Sequence, residues 1–327
     1  MRKSNVEQNA SPAPFVWKYK LNYTRFSTII GLVILCVVIS VLSPVFLTTN
    51  NLLNVSSQIT VNAILALGMT FVILTGGIDL SVGAVVAVSG IVMGLLMKAD
   101  VPVGIAMLAC VAIGTVIGLL NGLMVTMGKL PSFIATLGMM SVSRALALIL
   151  SSGAVLSTFP DSFRWIGVSK IPFTSIPAQV LLMIILYTVG YYILVYRKTG
   201  RFIYAIGGNP EVTRLSGINT KKYINIAYII SGMTSAIAAI VLTSKLNAAQ
   251  PSAGYNYELD AIAAVVIGGT SLSGGVGSVW GTLIGAAIMG VLRNGLNLLN
   301  ASSYLQTGII GLVIIAAVLL DTIKKKV

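Results

Sequence analysis

Histidine is absent from this chain, and charged residues account for only 9% of its 327 positions. The two cysteines, Cys36 and Cys110, each lie inside an apolar run. These shortages remove the usual ligands of zinc, haem and iron–sulfur centres and exclude a disulfide framework. A catalytic site built from a nucleophile and a base also lacks its common parts. We therefore expect no metal, no cofactor and no catalytic residues, and we do not expect an enzyme.

Apolar residues dominate the chain instead. They make up 56% of it, and the mean hydropathy is +0.96, which is too apolar for a soluble globule of this size. Ten apolar runs approach the length of about 20 residues that crosses a hydrocarbon core. These predicted spans lie at 28–47, 59–76, 80–97, 101–126, 131–152, 177–196, 223–244, 259–271, 279–298 and 304–321. The predicted fold class is therefore all-α: a polytopic integral membrane protein of about ten transmembrane helices, with some segments short or broken.

The charged residues orient this predicted bundle. We divide the chain into a cytoplasmic N-terminal segment, 1–26, a transmembrane domain, 27–322, and a basic cytoplasmic tail, 323–327. With ten crossings, one side carries fifteen Lys and Arg residues and the other side four, so the positive-inside rule places both termini in the cytoplasm. The net charge of +13 is then explained by membrane orientation, and we expect membrane lipid, not nucleic acid, beside these residues.

Two short stretches of the sequence resemble each other. GGIDLSVG at 76–83 and GGTSLSGG at 268–275 agree at five of eight positions, and each follows one apolar run and opens another. Transporters are often built from internal repeats whose helices break near the substrate route, where unwound backbone supplies polar groups. The pair predicts a possible internal repeat and makes Ser81, Ser271 and Ser273 candidates for the translocation path.

Asp79 is an acidic residue at predicted membrane depth, where a carboxylate is costly unless it is partnered or wet. One interpretation places Asp79 on the translocation path. The other makes it the cap of the helix that begins near Ser81, where the helix dipole favours a negative charge. The sequence supports the two interpretations equally.

Charged residues of both signs fall toward one side of the predicted bundle. Glu258 and Asp260 precede the eighth apolar run, and Arg144 and Arg293 lie toward the outer ends of their spans. Opposite charges at similar depth favour pairing, so we predict a polar collar at the outer mouth. The alternative is that both arginines merely extend to the membrane interface. Asn294, beside Arg293, is a further candidate for the translocation path.

The segment 197–222, called the basic loop below, carries six basic residues and one acidic residue. A flexible turn at 207–209 is followed by a proline, which suits the first position of a helix, and by a glutamate near the positive end of that helix. We expect this short helix to bind a cytoplasmic partner; the alternative is a loop that touches only anionic lipid. The residues assigned to the partner contact are Gly207, Gly208, Asn209, Pro210, Glu211, Arg214, Leu215 and Gly217.

Four longer blocks carry a resemblance to a known family. They are ILTGGIDLSVG (73–83), PSFIATLGMM (131–140), GRFIYAIGGNPEVTRLSGI (200–218) and AAQPSAGYNYELDAIAAVVIGGTSLSGGVGSVWGTLIGA (248–286), followed by NGLNLL (294–299). Over nearly its whole length the chain resembles the membrane subunits of bacterial ribose-type ABC importers. The resemblance implies that 207–217 is the coupling helix that docks on an ATPase, although Val212 and Thr213 stand where the EAA…G signature of ABC permeases has alanines.

The resemblance also implies a function and partners. The chain would be the permease of an ATP-driven, binding-protein-dependent importer of a monosaccharide, with ribose as the expected sugar, in the bacterial inner membrane. Its partners would be a cytoplasmic ATP-binding subunit, a periplasmic or extracellular sugar-binding protein, and a second permease copy in a homodimer. The chain has no GxxxxGK[ST] loop, so hydrolysis would fall to the separate subunit. The alternative is an ion-coupled secondary transporter or channel for a small polar solute, for which Asp79 is the one suitable acid.

Overall fold

The computed structural model describes residues 23–324, and their side chains from 28 to 319. Thirteen α-helices and two short β-strands make up this part of the chain. They are α1 (Tyr23–Leu42), α2 (Thr49–Leu74), α3 (Val82–Lys98), α4 (Val103–Thr126), α5 (Ser132–Ser151), β1 (Leu156–Ser157), α6 (Asp161–Val168), α7 (Ala178–Tyr196), α8 (Lys198–Gly208), α9 (Pro210–Leu215), α10 (Thr220–Leu246), β2 (Ala248–Ala249), α11 (Tyr257–Ile267), α12 (Val279–Leu298) and α13 (Ser303–Lys324). The predicted segment 1–26 lies outside the described residues except for its last four, which belong to α1, and the predicted tail 323–327 overlaps them only at the end of α13.

All ten predicted spans coincide with helices, namely α1 to α5, α7 and α10 to α13. Six of these, α2, α4, α5, α7, α10 and α12, are long and apolar enough to cross a membrane. The helix α11 has 11 residues, which at about 1.5 Å per residue gives about 16 Å, so it cannot cross a hydrocarbon core by itself. The all-α, polytopic fold class is confirmed, but the predicted eighth span, 259–271, is a half-length helix followed by a turn.

The start of α2 departs furthest from the predicted boundaries. The apolar run begins at residue 59, yet α2 begins at Thr49, because the Thr48 hydroxyl accepts a hydrogen bond from the Asn51 amide and caps the helix. Helical hydrogen bonding continues through the polar residues Asn51 and Asn54, whereas a hydropathy profile ends a span at such residues. The extension brings an asparagine into the interior of the bundle.

The helix α2 runs through the centre of the bundle. It packs against α7, α10, α11 and α12, while α3 packs among α4, α5 and α10. Of the most apolar 18 residues of each helix, 89% are buried in α2 but only 28% in α4 and 22% in α5. The outer helices present large apolar side chains such as Leu108 and Ile149, each 71% exposed. These side chains form an apolar outer surface, as expected of a protein that is solvated by lipid.

The bundle has two distinct ends. One end holds the basic loop, as α8 and α9, together with the turns that follow α2 and α11; it is called the loop end below. At the opposite end β1 pairs antiparallel with β2, with Leu156 facing Ala249. There the Gly167 amide of α6 also donates to the Ser244 hydroxyl of α10 at 2.8 Å. The long connections before α7 and α11 are thereby tied to the helices.

The glycines that recur at every fourth position of α4 serve helix packing. A Cβ atom added at Gly114 would meet the carbonyl of Gly232 in α10, and one added at Gly118 would meet the carbonyl of Tyr228. Gly122 continues the same stripe. Small residues in this arrangement let two helix backbones approach closely without intervening side chains.

Candidate transport and coupling sites

Asp79 lies in the turn between α2 and α3 and is 1% exposed. Its Oδ1 accepts from the Ser81 amide at 3.0 Å, from the Ser81 hydroxyl at 2.7 Å and from Nδ2 of Asn121 at 3.4 Å. Its Oδ2 accepts from the Ser231 hydroxyl of α10 at 2.8 Å. Donors from α4, α10 and the start of α3 thus satisfy a carboxylate that is removed from solvent. The only backbone amide of the described residues that donates to Asp79 is that of Ser81, the residue before the first residue of α3, so neither interpretation of Asp79 is decided by these contacts.

The two similar octapeptides form turns that touch each other at the loop end. Gly76, with φ of 81°, follows α2, and Gly269, with φ of 87°, follows α11. The amide of Gly275 donates to the carbonyl of Leu74 at 3.0 Å. The turn after α11 thus supplies a hydrogen bond to the last residue of α2. The ends of α2 and α11 therefore share one backbone junction.

The second turn has its own internal hydrogen bonds. The amide of Ser271 donates to the Val276 carbonyl at 2.9 Å, and the Gly274 amide donates to the Ser271 carbonyl at 3.0 Å. The Ser273 amide donates to the Ser271 hydroxyl at 3.4 Å. Ser271 is buried, as is Ser81 of the first turn, so both serines shape the helix breaks from within the protein.

Gly207 joins the basic loop to this junction. A Cβ atom on Gly207 would meet the Leu74 carbonyl oxygen and the Gly275 amide nitrogen. The expected flexible turn at 207–209 is wrong, because Gly207 and Gly208 are the last residues of α8. The helix continues to this point because its apolar face is buried, and the chain bends at Asn209, whose φ and ψ are -161° and 103°.

The short helix predicted after this bend is present as α9. Pro210 occupies its first turn, and Oδ1 of Asn209 accepts from the amides of Glu211 and Val212, each at 3.0 Å. Nη2 of Arg214 donates to Oε1 of Glu211 at 2.6 Å. That hydrogen bond lowers the pKa of the Glu211 carboxyl. A proline, an asparagine cap and an acid in the first turn thus explain why a helix begins here.

The exposed face of α9 is partly apolar. Val212 is 57% exposed and Leu215 is 73% exposed, while Thr213 is buried against the bundle. Gly217, with φ of 82°, ends the segment. Apolar side chains displayed on a polar, basic loop are suited to contact with another protein.

The predicted collar contains one direct ion pair, which lies beside the middle of α2 and not at the end of the bundle. Nη2 of Arg293 in α12 donates to Oδ2 of Asp260 in α11 at 2.7 Å. Nδ2 of Asn62 in α2 reaches the same oxygen at 3.4 Å. The side chain of Asp260 is 4% exposed and that of Arg293 is 40% exposed. The pair links α2, α11 and α12, and Arg293 is its more exposed member.

Arg144 has different partners from those expected of the collar. Its Nη1 donates to the carbonyls of Pro251 and Ala253 at 2.8 and 2.6 Å. Its guanidinium also lies 4.1 Å from the centre of the Tyr255 ring. Arg144 therefore holds the 251–255 connection, and Glu258 is half-buried beside Gly83. The collar is thus one ion pair with an adjacent arginine bound to backbone.

Three amides that the sequence analysis did not single out, Asn51, Asn62 and Asn121, support these sites. Asn51 of α2 and Asn294 of α12 exchange two hydrogen bonds, each 3.0 Å long. Asn121 donates to the Ser81 hydroxyl at 2.8 Å. An isolated amide within an apolar run is the signal that could have revealed Asn62 and Asn121, because an unpaired amide in hydrocarbon is costly.

A bundle of apolar helices that includes the half-length helix α11, with polar groups gathered at the helix ends, has the architecture of a membrane transporter. Residues 51–318 match the family described as "Branched-chain amino acid transport system / permease component". The chain belongs to this family. It is therefore a multi-pass membrane protein and a permease component of a transport system.

Sugar-transport permeases of bacteria are similar to the chain over most of its length. It is 46% identical over 302 residues to Ribose import permease protein RbsC of Escherichia coli (strain K12), covering 91% of this chain and 94% of that protein. It is 45% identical over 298 residues to RbsC of Bacillus subtilis (strain 168), covering 91% and 92%. It is 38% identical over 326 residues to D-allose transport system permease protein AlsC of Escherichia coli (strain K12), covering 99% of each. The resemblance to ribose-type permeases is confirmed.

Proposed function

We propose that the chain is the permease subunit of an ATP-driven, binding-protein-dependent importer of a monosaccharide, with ribose as the substrate. The relatives named as ribose import permeases, 46% and 45% identical over 91% of the chain, support this choice. The protein named for D-allose transport supports a sugar more broadly. The family description names branched-chain amino acids, but the sugar-named relatives are individual proteins matched over nearly the whole chain, so we favour a sugar.

The observation that carries an externally driven mechanism is the contact of the basic loop with both helix breaks. The exposed helix α9 follows directly on α8, and Gly207 of α8 packs against Leu74 and Gly275. A partner that moves α9 would therefore move both turns together. We assign that partner as a cytoplasmic ATP-binding subunit. Gly207 transmits the movement of α9 to the two turns. The residues of this chain assigned to the docking contact are Gly207, Gly208, Asn209, Pro210, Glu211, Arg214, Leu215 and Gly217.

The opposite end receives the sugar in this proposal. A periplasmic sugar-binding protein delivers it, and the ion pair of Asp260 and Arg293, with Glu258 and Asn294 nearby, forms the outer gate. Asp79, Ser81, Ser271 and Ser273 shape the turns that open at the loop end. The complete importer contains two copies of this chain in the inner membrane, with both termini in the cytoplasm.

Reconstitution of transport tests the proposal. The permease is placed in liposomes with an ATP-binding subunit, and uptake of radiolabelled ribose is measured with and without ATP and a ribose-binding protein. We expect uptake only when all components are present and none with a non-hydrolysable ATP analogue. Uptake by the permease alone would contradict the proposal and favour an ion-coupled transporter. Uptake of leucine or D-allose in place of ribose would reassign the substrate.

Cysteine labelling tests the sidedness of the two ends. Ser216, at the loop end, and Ser175, at the opposite end, are both exposed serines. Each is changed to Cys in a background where Cys36 and Cys110 are replaced by Ala, and intact spheroplasts are treated with an impermeant maleimide. We expect Ser175→Cys to react and Ser216→Cys to react only after lysis. The reverse pattern would invert the assigned topology.

A further inference from the structure

A cavity of about 600 Å³ opens at the loop end between α7, α8 and α10. Its volume falls within the range of about 300–1,000 Å³ that small-molecule sites occupy. Three isoleucines and three cations stand out in its lining: Ile193, Ile226, Ile230, Arg197, Lys198 and Arg201. The cavity thus combines an apolar wall with a positively charged rim.

No acid neutralises the rim cations within the part of the chain that the structure describes. The ion pairs found there are Arg164 with Asp161, Arg214 with Glu211, and Arg293 with Asp260. Arg197 instead lies 5.0 Å from the centre of the Tyr192 ring. The first turn of α8 also begins at this rim without a side-chain cap. A bound anion would be stabilised by three cations and by the positive end of α8.

The position of the cavity distinguishes between kinds of anion. Tyr192 and Tyr196, near the end of α7, are aromatic residues of the type found at the membrane interface. The helices α7 and α10 each pack on α2, and the cavity lies between them, with Ile193 and Tyr196 of α7 facing Ile226 and Ile230 of α10. A ligand that fits both walls has an anionic head at the rim and an apolar chain along the isoleucines.

We propose that this cavity is a binding site for an anionic phospholipid of the membrane. The lipid phosphate lies among Arg197, Lys198 and Arg201, and an acyl chain lies over Ile193 and Ile230 between α7 and α10. A small soluble anion would leave the apolar wall uncovered. An acidic protein surface would leave the lipid-facing gap between the two helices unfilled. Basic pockets between helices at this membrane level are typical of sites for acidic lipid headgroups.

Titration of the purified, delipidated permease with dioleoylphosphatidylglycerol tests the site, with bound lipid counted by native mass spectrometry in detergent. Removing two cations in Lys198→Gln/Arg201→Gln should weaken binding about 30-fold. The matched control, Lys221→Gln/Lys222→Gln, removes the same charge from the lining of a neighbouring cavity. Its affinity for phosphatidylglycerol should change by less than about threefold, because exposed charges outside the site contribute little.

Adjacent isoleucines allow a second comparison that leaves every charge in place. Ile230 lines the proposed site, and Ile229 lines the neighbouring cavity. Ile230→Trp should fill the groove and lower retention of phosphatidylglycerol about tenfold, whereas Ile229→Trp should keep it near that of the wild type. A similar result for the two tryptophan variants would overturn the assignment of the acyl chain to this groove.

Three further results would overturn the site itself. They are an equal loss in the two double variants, equal retention of dioleoylphosphatidylcholine, and displacement of phosphatidylglycerol by inorganic phosphate. If Lys198→Gln/Arg201→Gln binds lipid normally but no longer binds the ATP-binding subunit in lipid-free detergent, the rim belongs to that protein instead. The lipid measurement uses the permease alone, so its outcome is independent of the proposed transport function.

Discussion

At the loop end, three segments of backbone meet with no side chain between them. Leu74, Gly207 and Gly275 lie so close that one added carbon atom on Gly207 would collide with the other two. Farther from the loop end the helices are joined through side chains, by the ion pair of Asp260 and Arg293 and by a reciprocal pair of asparagine amides. The backbone contacts at the loop end involve no side-chain torsion. The side-chain contacts depend on several torsions each.

This difference suggests different roles for the two regions. A backbone junction moves as one body, because packed backbones cannot slide apart without losing contact over their whole length. Side-chain pairs can separate one at a time, and water can replace each hydrogen bond that is lost. The loop end is thus suited to transmitting movement, and the region of the side-chain pairs to opening for a solute.

Gly207→Ala should have the largest effect. Alanine is favoured over glycine in a helix by about 1 kcal/mol, but the new methyl group meets backbone atoms of Leu74 and Gly275 that cannot rotate away. We expect overpacking of about 1–3 kcal/mol and a fall in ATP-dependent uptake of about tenfold or more. Gly138→Ala in α5, outside the docking residues, meets nothing within 4 Å and should transport nearly normally. Equal uptake by the two variants would show that the backbone junction of Gly207 with Leu74 and Gly275 is not needed for transport.

Asp79→Asn should have the next largest effect, through stability. The new amide group faces hydroxyl donors of Ser81 and Ser231 in a site that is 1% exposed, so we expect a loss of about 2–3 kcal/mol. Ser231→Ala removes one donor and should cost about 1 kcal/mol. Thermal unfolding in detergent measures both changes. A variant with normal stability and no uptake would instead favour the translocation-path interpretation of Asp79.

Arg293→Gln should have a moderate effect. The side chain of Asp260 is 4% exposed and loses its cation, but Arg293 is 40% exposed, so the pair is only partly buried. We therefore expect a loss of about 1–2 kcal/mol, below the about 3–5 kcal/mol of a fully buried pair. Adding Asp260→Asn should restore part of the stability in a double-mutant cycle. Unchanged uptake and protein level in Arg293→Gln would remove the collar as a gate.

Glu211→Gln should have the smallest effect on stability. The hydrogen bond from Arg214 lowers the pKa of the Glu211 carboxyl below its ordinary value of 4.5, so its contribution is present above that pH and is lost as the pH falls through the lowered pKa. Because both side chains are exposed, we expect the same unfolding temperature for the variant and the wild type at pH 7. A large loss of ATPase binding in a stable variant would assign Glu211 directly to that interface.

The sequence was sufficient to predict the elements that depend on local pattern. Apolar runs of the right length became helices, and Pro210 after Asn209 began α9 as expected. Prediction failed where a distant partner decides the outcome. The residues at 207–208 looked like a flexible turn, yet they are helical, because the buried face of α8 and the junction with Leu74 hold them there.

The composition alone determined that this chain is solvated by lipid, and the glycine pairs at 76 and 268 predicted where helices break. Only the tertiary structure decided which helices face that lipid. By composition α4 is more apolar than α2, yet most of α2 is buried and most of α4 is not. Hydropathy measures removal from water, and both lipid and protein interior are dry. The choice between them therefore depends on close packing and on polar partners from other helices, which no single segment contains.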